Sequence, residues 1–282
     1  MYLATAAQEV LNTADPWAKA YKTRKFATAW RGGEINQVGQ AEMPERPQRP
    51  DKPELRDPTD MPKRRKAGSR AGKIALLHAL SHIELNAIDL SWDIIGRFCH
   101  LAAENASSQD FALPHTFYDH WVKVADDEAK HFLMLDDRMR DFDAGYGCLP
   151  AHDGLWESAV LTANDFAARL AIVPMVLEAR GLDVTPAMIK NMRAQGDEKT
   201  ARLLTIIHDD EITHVEAGTV WFKEWCEFYG HDGEEYWQYL VRTYFKGALK
   251  PPFNDPSRIQ AGLIPDWYEP LAEGLRDDPK KE

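Results

Sequence analysis

Residues 126–132 read Asp-Asp-Glu-Ala-Lys-His-Phe, and residues 209–215 read Asp-Asp-Glu-Ile-Thr-His-Val. Two acids, a glutamate and a histidine recur in one register, 83 positions apart (209 against 126). On a helix, side chains three residues apart differ by about 60° around the axis, so each copy shows its Glu and His on one face. The neighbours at helical spacing identify that face. They are Trp121, Val124, Ala125, Phe132 and Leu135 around Glu128, and Leu204, Ile207, Val215 and Gly218 around Glu211. Both pairs therefore sit on apolar faces, where a charge without a partner is strongly destabilising. A fold for this chain must give both faces something to neutralise them.

The surrounding pattern is helical, and no alternating run competes with it. A first long helix is predicted from Ala71 to Ala103, and a second from Pro114 to Phe142, stopped by Gly145 and Gly147. A third runs from Leu155 to Ala179 and is closed by Gly181. A short helix then starts with Thr185 as N-cap and Pro186 in first position. Asp197 caps a fourth long helix ending at Gly230. Upstream, residues 2–11 and 17–30 read as short helices, while residues 43–62 carry six prolines and form an extended arm. Residues 250–270 alternate proline with Trp, Tyr, Phe and Leu, as in an arm laid on a core. The expectation is an all-α chain: short helices and a Pro-rich arm over 1–66, a four-helix bundle over 67–230, and a C-terminal helix and arm over 231–282.

The first and third long helices each hold one misplaced acid. Glu84 has Leu77, Leu80, Ala87 and Ile88 beside it on the helical wheel, and Glu178 follows the apolar stretch Leu170–Leu177. With the helix ending near Ala179, Glu178 would also lie in a last turn, where the helix dipole disfavours an anion. Few lysines or arginines face the core to complete an ion-pair network. Glu84, Glu128, His131, Glu178, Glu211 and His214 together make four carboxylates and two imidazoles, a ligand set for two metal ions in a bundle core. Oxygen-rich donors with two nitrogens and no thiolate suit iron or manganese, including a mixed pair. His208, one turn before Glu211, could reach a metal or sit behind its ligands; an ordinary hydrogen-bonded role fits equally well. His82 points about 160° away from Glu84 and is rejected as a ligand. Pro174 removes a helical hydrogen bond and frees the Leu170 carbonyl, marking either a π-bulge or a packing bend.

These residues resemble the ferritin-like di-iron carboxylate superfamily, which includes ribonucleotide reductase small subunits and bacterial multicomponent monooxygenases. The resemblance implies a ferritin-like bundle with Glu128 and Glu211 bridging the metals. Glu84 with His131, and Glu178 with His214, would be terminal ligands. It also implies that Asp210 orients His131 from behind, with Asp127 doing the same for His214. Asp126 and Asp209 are expected to face solvent. The stretches HIELNAIDL, DDEAKHF, AHDGLW, RLAIVPMVLEARGLDVTP and DDEITHVEAG resemble, more narrowly, the bacterial family catalogued as domain of unknown function 455, from about residue 40 onward. A tRNA isopentenyladenosine hydroxylase of the same grouping is distantly similar. Leu135 stands where the reductases keep a radical tyrosine. Leu182, where several monooxygenases keep a threonine, is expected beyond the helix end.

The net charge of -11 argues against a nucleic-acid surface or an anionic membrane. The basic run Lys63–Lys66 is expected to be a solvated flank. The three cysteines form no C-x-x-C, no secretory signal opens the chain, and no apolar run approaches a membrane span. A cytoplasmic protein is expected. The function expected is O2-dependent oxidation or hydroxylation of an unidentified small molecule by two iron ions. No flavin, nicotinamide or iron–sulfur fingerprint is present, so electrons would come from an external donor. The competing readings are an iron-binding ferroxidase or peroxide-handling protein without organic substrate, and a tRNA-modifying hydroxylase. No catalytic residue beyond the ligands is singled out, and the sequence is silent on oligomeric state.

Overall fold

The computed structural model describes residues 1–57, 60, 68–107 and 109–272. The basic run Lys63–Lys66 and part of the first Pro-rich stretch lie outside the described residues. Among the described residues the fold is all-α; no sheet forms, and extended segments meet only in isolated bridges such as Leu55 with Ala151. No described helix is long and apolar enough to cross a membrane. The chain divides into two compact units, Met1–Val160 with Met192–Leu203, and Leu161–Asn191 with Leu204 onward.

In the first unit, α1 (Leu3–Leu11) and α2 (Pro16–Arg31) pack on α3 (Arg70–Arg97) and α4 (His115–Arg140). Asp15 caps α2 by accepting from the Ala18 amide at 2.7 Å, with Pro16 at the first helical position. Ser69 caps α3 in the same way through Gly72 at 3.0 Å. Helix α3 stops at Arg97, short of Ala103, because Cys99–Leu101 tightens into a 3-10 turn. Helices α3 and α4 run antiparallel. Arg70 at the start of α3 donates to the Phe142 carbonyl just beyond α4, while Leu113 just before α4 donates to Leu101 just beyond α3. Leu77, Ile88, Phe132 and Leu135 are fully buried on these helices. Each such side chain contributes roughly 1.5–3 kcal/mol on removal from water.

Residues 43–49 of the Pro-rich stretch lie on this scaffold. The Gln48 amide donates to Leu11, Trp156 of α5 (Gly154–Leu161) donates to the Glu45 carbonyl, and Arg49 reaches Asn86 and Asp89 on α3. Gly96 gives the Met43 side chain its room here, since a methyl at that position would make the thioether shift.

In the second unit, α6 (Phe166–Ile172) is capped by Asp165, whose side chain accepts from the Ala168 amide. It passes through a π-helical turn, Val173–Glu178, directly into α7 (Ala179–Ala194). Helix α8 (Glu198–Tyr229) comes next. Its first residues fall in the first unit, where Asp197 caps them through Thr200, and it ends at Gly230 with a positive φ of 70°. After α9 (Gly233–Tyr244) the tail folds back through α10 (Asp255–Gln260) and α11 (Pro265–Tyr268). Thr219 donates to the Ala261 carbonyl at 2.6 Å, and Arg258 forks onto Asp183.

The third predicted helix differs from its expectation. A break at residues 162–165 separates α5 from α6, and neither Gly181 nor Pro186 interrupts α7. Thr185 is inside α7 and caps nothing, and Leu182 is a buried residue of that helix, not a residue beyond its end. Glu178 therefore occupies mid-helix, and the expected clash with a C-terminal dipole does not arise.

Candidate metal centre

Antiparallel pairing of α3 and α4 brings Glu84 level with Glu128 and His131. All three side chains are removed from solvent, with Glu84 at 3% exposure and the other two at 0%. His131 Nδ1 lies 3.4 Å from Glu84 Oε2 and 3.5 Å from Glu128 Oε2. One donor atom from each residue lies within 4.8 Å of the others. These separations exceed the usual N–H···O length of about 2.9 Å. They match two donors sharing one ion: bonds of about 2.1 Å meeting near 110° put the donors about 3.4 Å apart.

The electrostatics point the same way. Burial, first, and the Glu128 carboxylate, second, hold the Glu84 carboxyl well above the usual carboxylate range, and His131 offsets only part of this. Two carboxylates with an imidazole in a dry site stay ionised together only if positive charge joins them. Buried oxygen and nitrogen donors at these distances can hold a metal ion.

The second unit presents the matching set. His214 Nδ1 lies 3.6 Å from Glu211 Oε2, the same atoms and nearly the same spacing as in His131 and Glu128. Helix register sets the level of Glu178 along α8. The Phe166 and Trp225 rings pack at 5.4 Å, and Pro174 lies against Gly218 so closely that a Cβ on Gly218 would strike its ring. Advancing along α6 thus means retreating along α8, and the next step puts Glu178 level with His214. The π-turn sets this direction. Pro174 cannot donate to the Leu170 carbonyl, and the wider turn rotates the residues after it by about 100° relative to an unbroken α-helix.

The other singled-out residues have these surroundings. Asp127 accepts from Lys123 at 2.7 Å and Lys130 at 3.0 Å. Asp210 is half-buried, and its carbonyl accepts from Thr213. His208 lies 3.4 Å from the Ser257 hydroxyl and 3.5 Å from Asp209, whose side chain is exposed. Asp126, expected at the solvent side, is instead mostly covered and pairs with Arg31 at 2.9 Å and Arg24 at 3.6 Å on α2. His82 is tied to the Tyr146 hydroxyl and the His152 carbonyl, and His78 accepts from the Gly147 amide. Burial lowers both histidines to a pKa of about 4, so they are neutral at neutral pH.

Asp89, five residues after Glu84, was passed over in the sequence. It is fully buried between Lys19 and Arg49, and so ties α2 and the Pro-rich stretch to a ligand-bearing helix. Its signal was an acid in an otherwise apolar stretch of α3.

Comparison with known proteins gives the family. Residues 12–269 match the family model described as "Protein of unknown function (DUF455)", a match that begins well before residue 40. An uncharacterized protein of Haemophilus influenzae (strain ATCC 51907 / DSM 11121 / KW20 / Rd) is 37% identical over 227 residues, covering 79% of this chain and 77% of that one. No solved structure matches.

Proposed function

The chain belongs to the DUF455 family, and from that premise we propose that it is an oxidoreductase built on a dinuclear metal centre. Its ligands are Glu84, Glu128, His131, Glu178, Glu211 and His214. The observation that carries the reading is the buried Glu84–Glu128–His131 cluster, with donors at ion-sharing distances and a carboxyl that burial would otherwise protonate. The equal Glu211–His214 spacing supports a second, equivalent half. In this reading Glu128 and Glu211 would be shared by the two ions, while Glu84 with His131 and Glu178 with His214 would each hold one. Asp210 orients His131 and Asp127 orients His214, which fixes the imidazole tautomers.

Two iron ions, or manganese in one or both positions, would supply redox equivalents and Lewis acidity for O2 chemistry on a small organic substrate. The protein's own residues do the rest. Helices α3 and α4 keep water from the carboxylates, Asp89 and its cations hold α3 in place, and the π-turn aims Glu178. An external donor would renew the electrons.

The test is metal analysis of iron-loaded protein, expected to give two ions per chain and a coupled dinuclear signature. A stoichiometry that stays at one after careful loading would sink the dinuclear reading. O2 consumption coupled to conversion of an organic compound separates this enzyme from an iron-handling protein that consumes O2 alone.

A further inference from the structure

Helix α4 carries a polar group that the ligand set does not use. The first unit contains five tryptophans, and four are anchored through the indole nitrogen. Trp17 donates to Asp136 at 2.9 Å, Trp30 to Asp119 at 2.8 Å, Trp92 to Thr23 at 3.0 Å and Trp156 to the Glu45 carbonyl at 3.2 Å. Trp121 is 1% exposed, and among the described residues its Nε1–H has no acceptor. Native proteins keep few buried donors in that state, and each calls for an explanation, a bound group being one.

Its position narrows the explanation. Trp121 precedes Glu128 by seven residues, which places it about 20° from Glu128 around α4 and about 10 Å along the axis. Ala125 lies between them on the same face. On antiparallel α3, the residues one turn beyond Glu84 toward the level of Trp121 are Ala87 and Ile88. Both alanines and Ile88 are buried. From the carboxylates onward, this face therefore offers methyl groups and then one N–H donor. Phe117 packs against Trp121 on the side away from Glu128, with ring centroids 6.3 Å apart.

We propose that Trp121 is the substrate-orienting donor of this centre. The substrate class is a short apolar molecule with a hydrogen-bond-accepting oxygen at one end. The oxygen is held by the Trp121 indole, so the hydrocarbon portion lies over Ala125 and Ala87 toward the metal ligands. This assignment rests on the metal-centre reading above.

The probes are cyclohexanone and its oxygen-free isostere, methylenecyclohexane. They are titrated into full-length protein labelled with nitrogen-15 at the indoles, in the metal-free and metal-loaded states. The ketone is expected to move one indole N–H resonance, identified as Trp121 by its absence in Trp121→Phe. It should bind about five- to tenfold more tightly than the isostere, the worth of one neutral hydrogen bond. Trp121→Phe should keep the isostere's affinity and lose the preference. Equal binding of the two probes, a shift confined to other indoles, or a preference undiminished in Trp121→Phe overturns the assignment. Should that variant fail to fold, Ala125→Leu puts a larger side chain on the same stripe and is expected to abolish the ketone shift. A retained shift would overturn the assignment. Metal counted on the same samples separates the two readings. Two ions without ketone preference remove only the Trp121 assignment, whereas a preference in a chain that binds no metal keeps the donor and removes the metal centre.

Discussion

Gly218→Ala would place a methyl group against Cβ and Cγ of Pro174, inside the distance that real carbon contacts keep. Two opposed effects decide the outcome. Alanine is favoured over glycine in a helix interior by about 1 kcal/mol. Overpacking a filled contact costs about 1–3 kcal/mol, and the pyrrolidine ring cannot rotate out of the way. The expected result is a net loss of up to about 2 kcal/mol, against the sign of intrinsic propensity. Gly181→Ala is the control. It lies in the helical run that contains Pro174, and its new methyl would meet nothing within 4 Å, so the propensity gain of up to about 1 kcal/mol should survive. In a chain of this size about 1 kcal/mol moves Tm by roughly 2–4 °C, so paired melts followed by circular dichroism resolve the opposite signs. Metal analysis of the same samples extends the test. Glu178 lies four residues beyond Pro174 and His214 four residues before Gly218, so Gly218→Ala should also retain less metal than Gly181→Ala. If the two variants shift Tm upward together, the Pro174–Gly218 contact is not tight, and the register placing Glu178 beside His214 loses one of its two anchors.

Three further outcomes are expected. The raised pKa of Glu84 means that metal-free protein binds more protons folded than unfolded. That contribution is fully present below the ordinary carboxyl value of 4.5 and lost as pH rises through the folded value, so denaturant melts should show metal-free protein losing stability relative to loaded protein as pH increases; parallel profiles would contradict it. Asp210→Asn should weaken metal affinity about ten- to a hundredfold, while exposed Asp209→Asn changes it little; equal effects in metal competition assays would show the doubled acid to be misassigned. Asp89→Asn should cost about 3–5 kcal/mol in urea melts, because it leaves Lys19 buried without its carboxylate, and protease cleavage within residues 43–49 should accelerate; an unchanged midpoint would show the pair to be dispensable.

The candidate ligand positions stood out in the sequence because each broke a strong local pattern. Glu84, Glu128 and Glu211 are acids at apolar wheel positions, and i, i+3 geometry alone fixes the direction of His131 and His214. Long helices α3, α4 and α8 were legible for a related reason, since their apolar periodicity is long and, for α8, the Asp197 cap and the Gly230 stop agree with it. Asp126 was misjudged because its partners, Arg24 and Arg31, come from α2, about a hundred positions away in sequence.

The stretch from Gly181 to Pro186 was illegible for a physical reason that also bears on the site. Gly181, Thr185 and Pro186 are local stop and start signals, and the interactions that override them come from elsewhere in the second unit. Pro186 cannot donate to the carbonyl four residues before it, that of Leu182, and Asn254 supplies the missing bond from the tail at 3.0 Å. Asp183 is held by both Arg258 and the Asn254 amide, and Arg258 also stacks on Phe253 and Tyr268. The tail thus replaces the helix bond that proline removes, and α7 runs on where propensity would end it. At Pro174 the helix widens into the π-turn instead. One proline is compensated from outside and the other by a change of helical register, and Glu178 lies between them. Its direction is therefore set by the π-turn that it closes, which Pro174 marked as one of two options, and by the helix after it, whose brace from the tail no window of sequence around Glu178 contains.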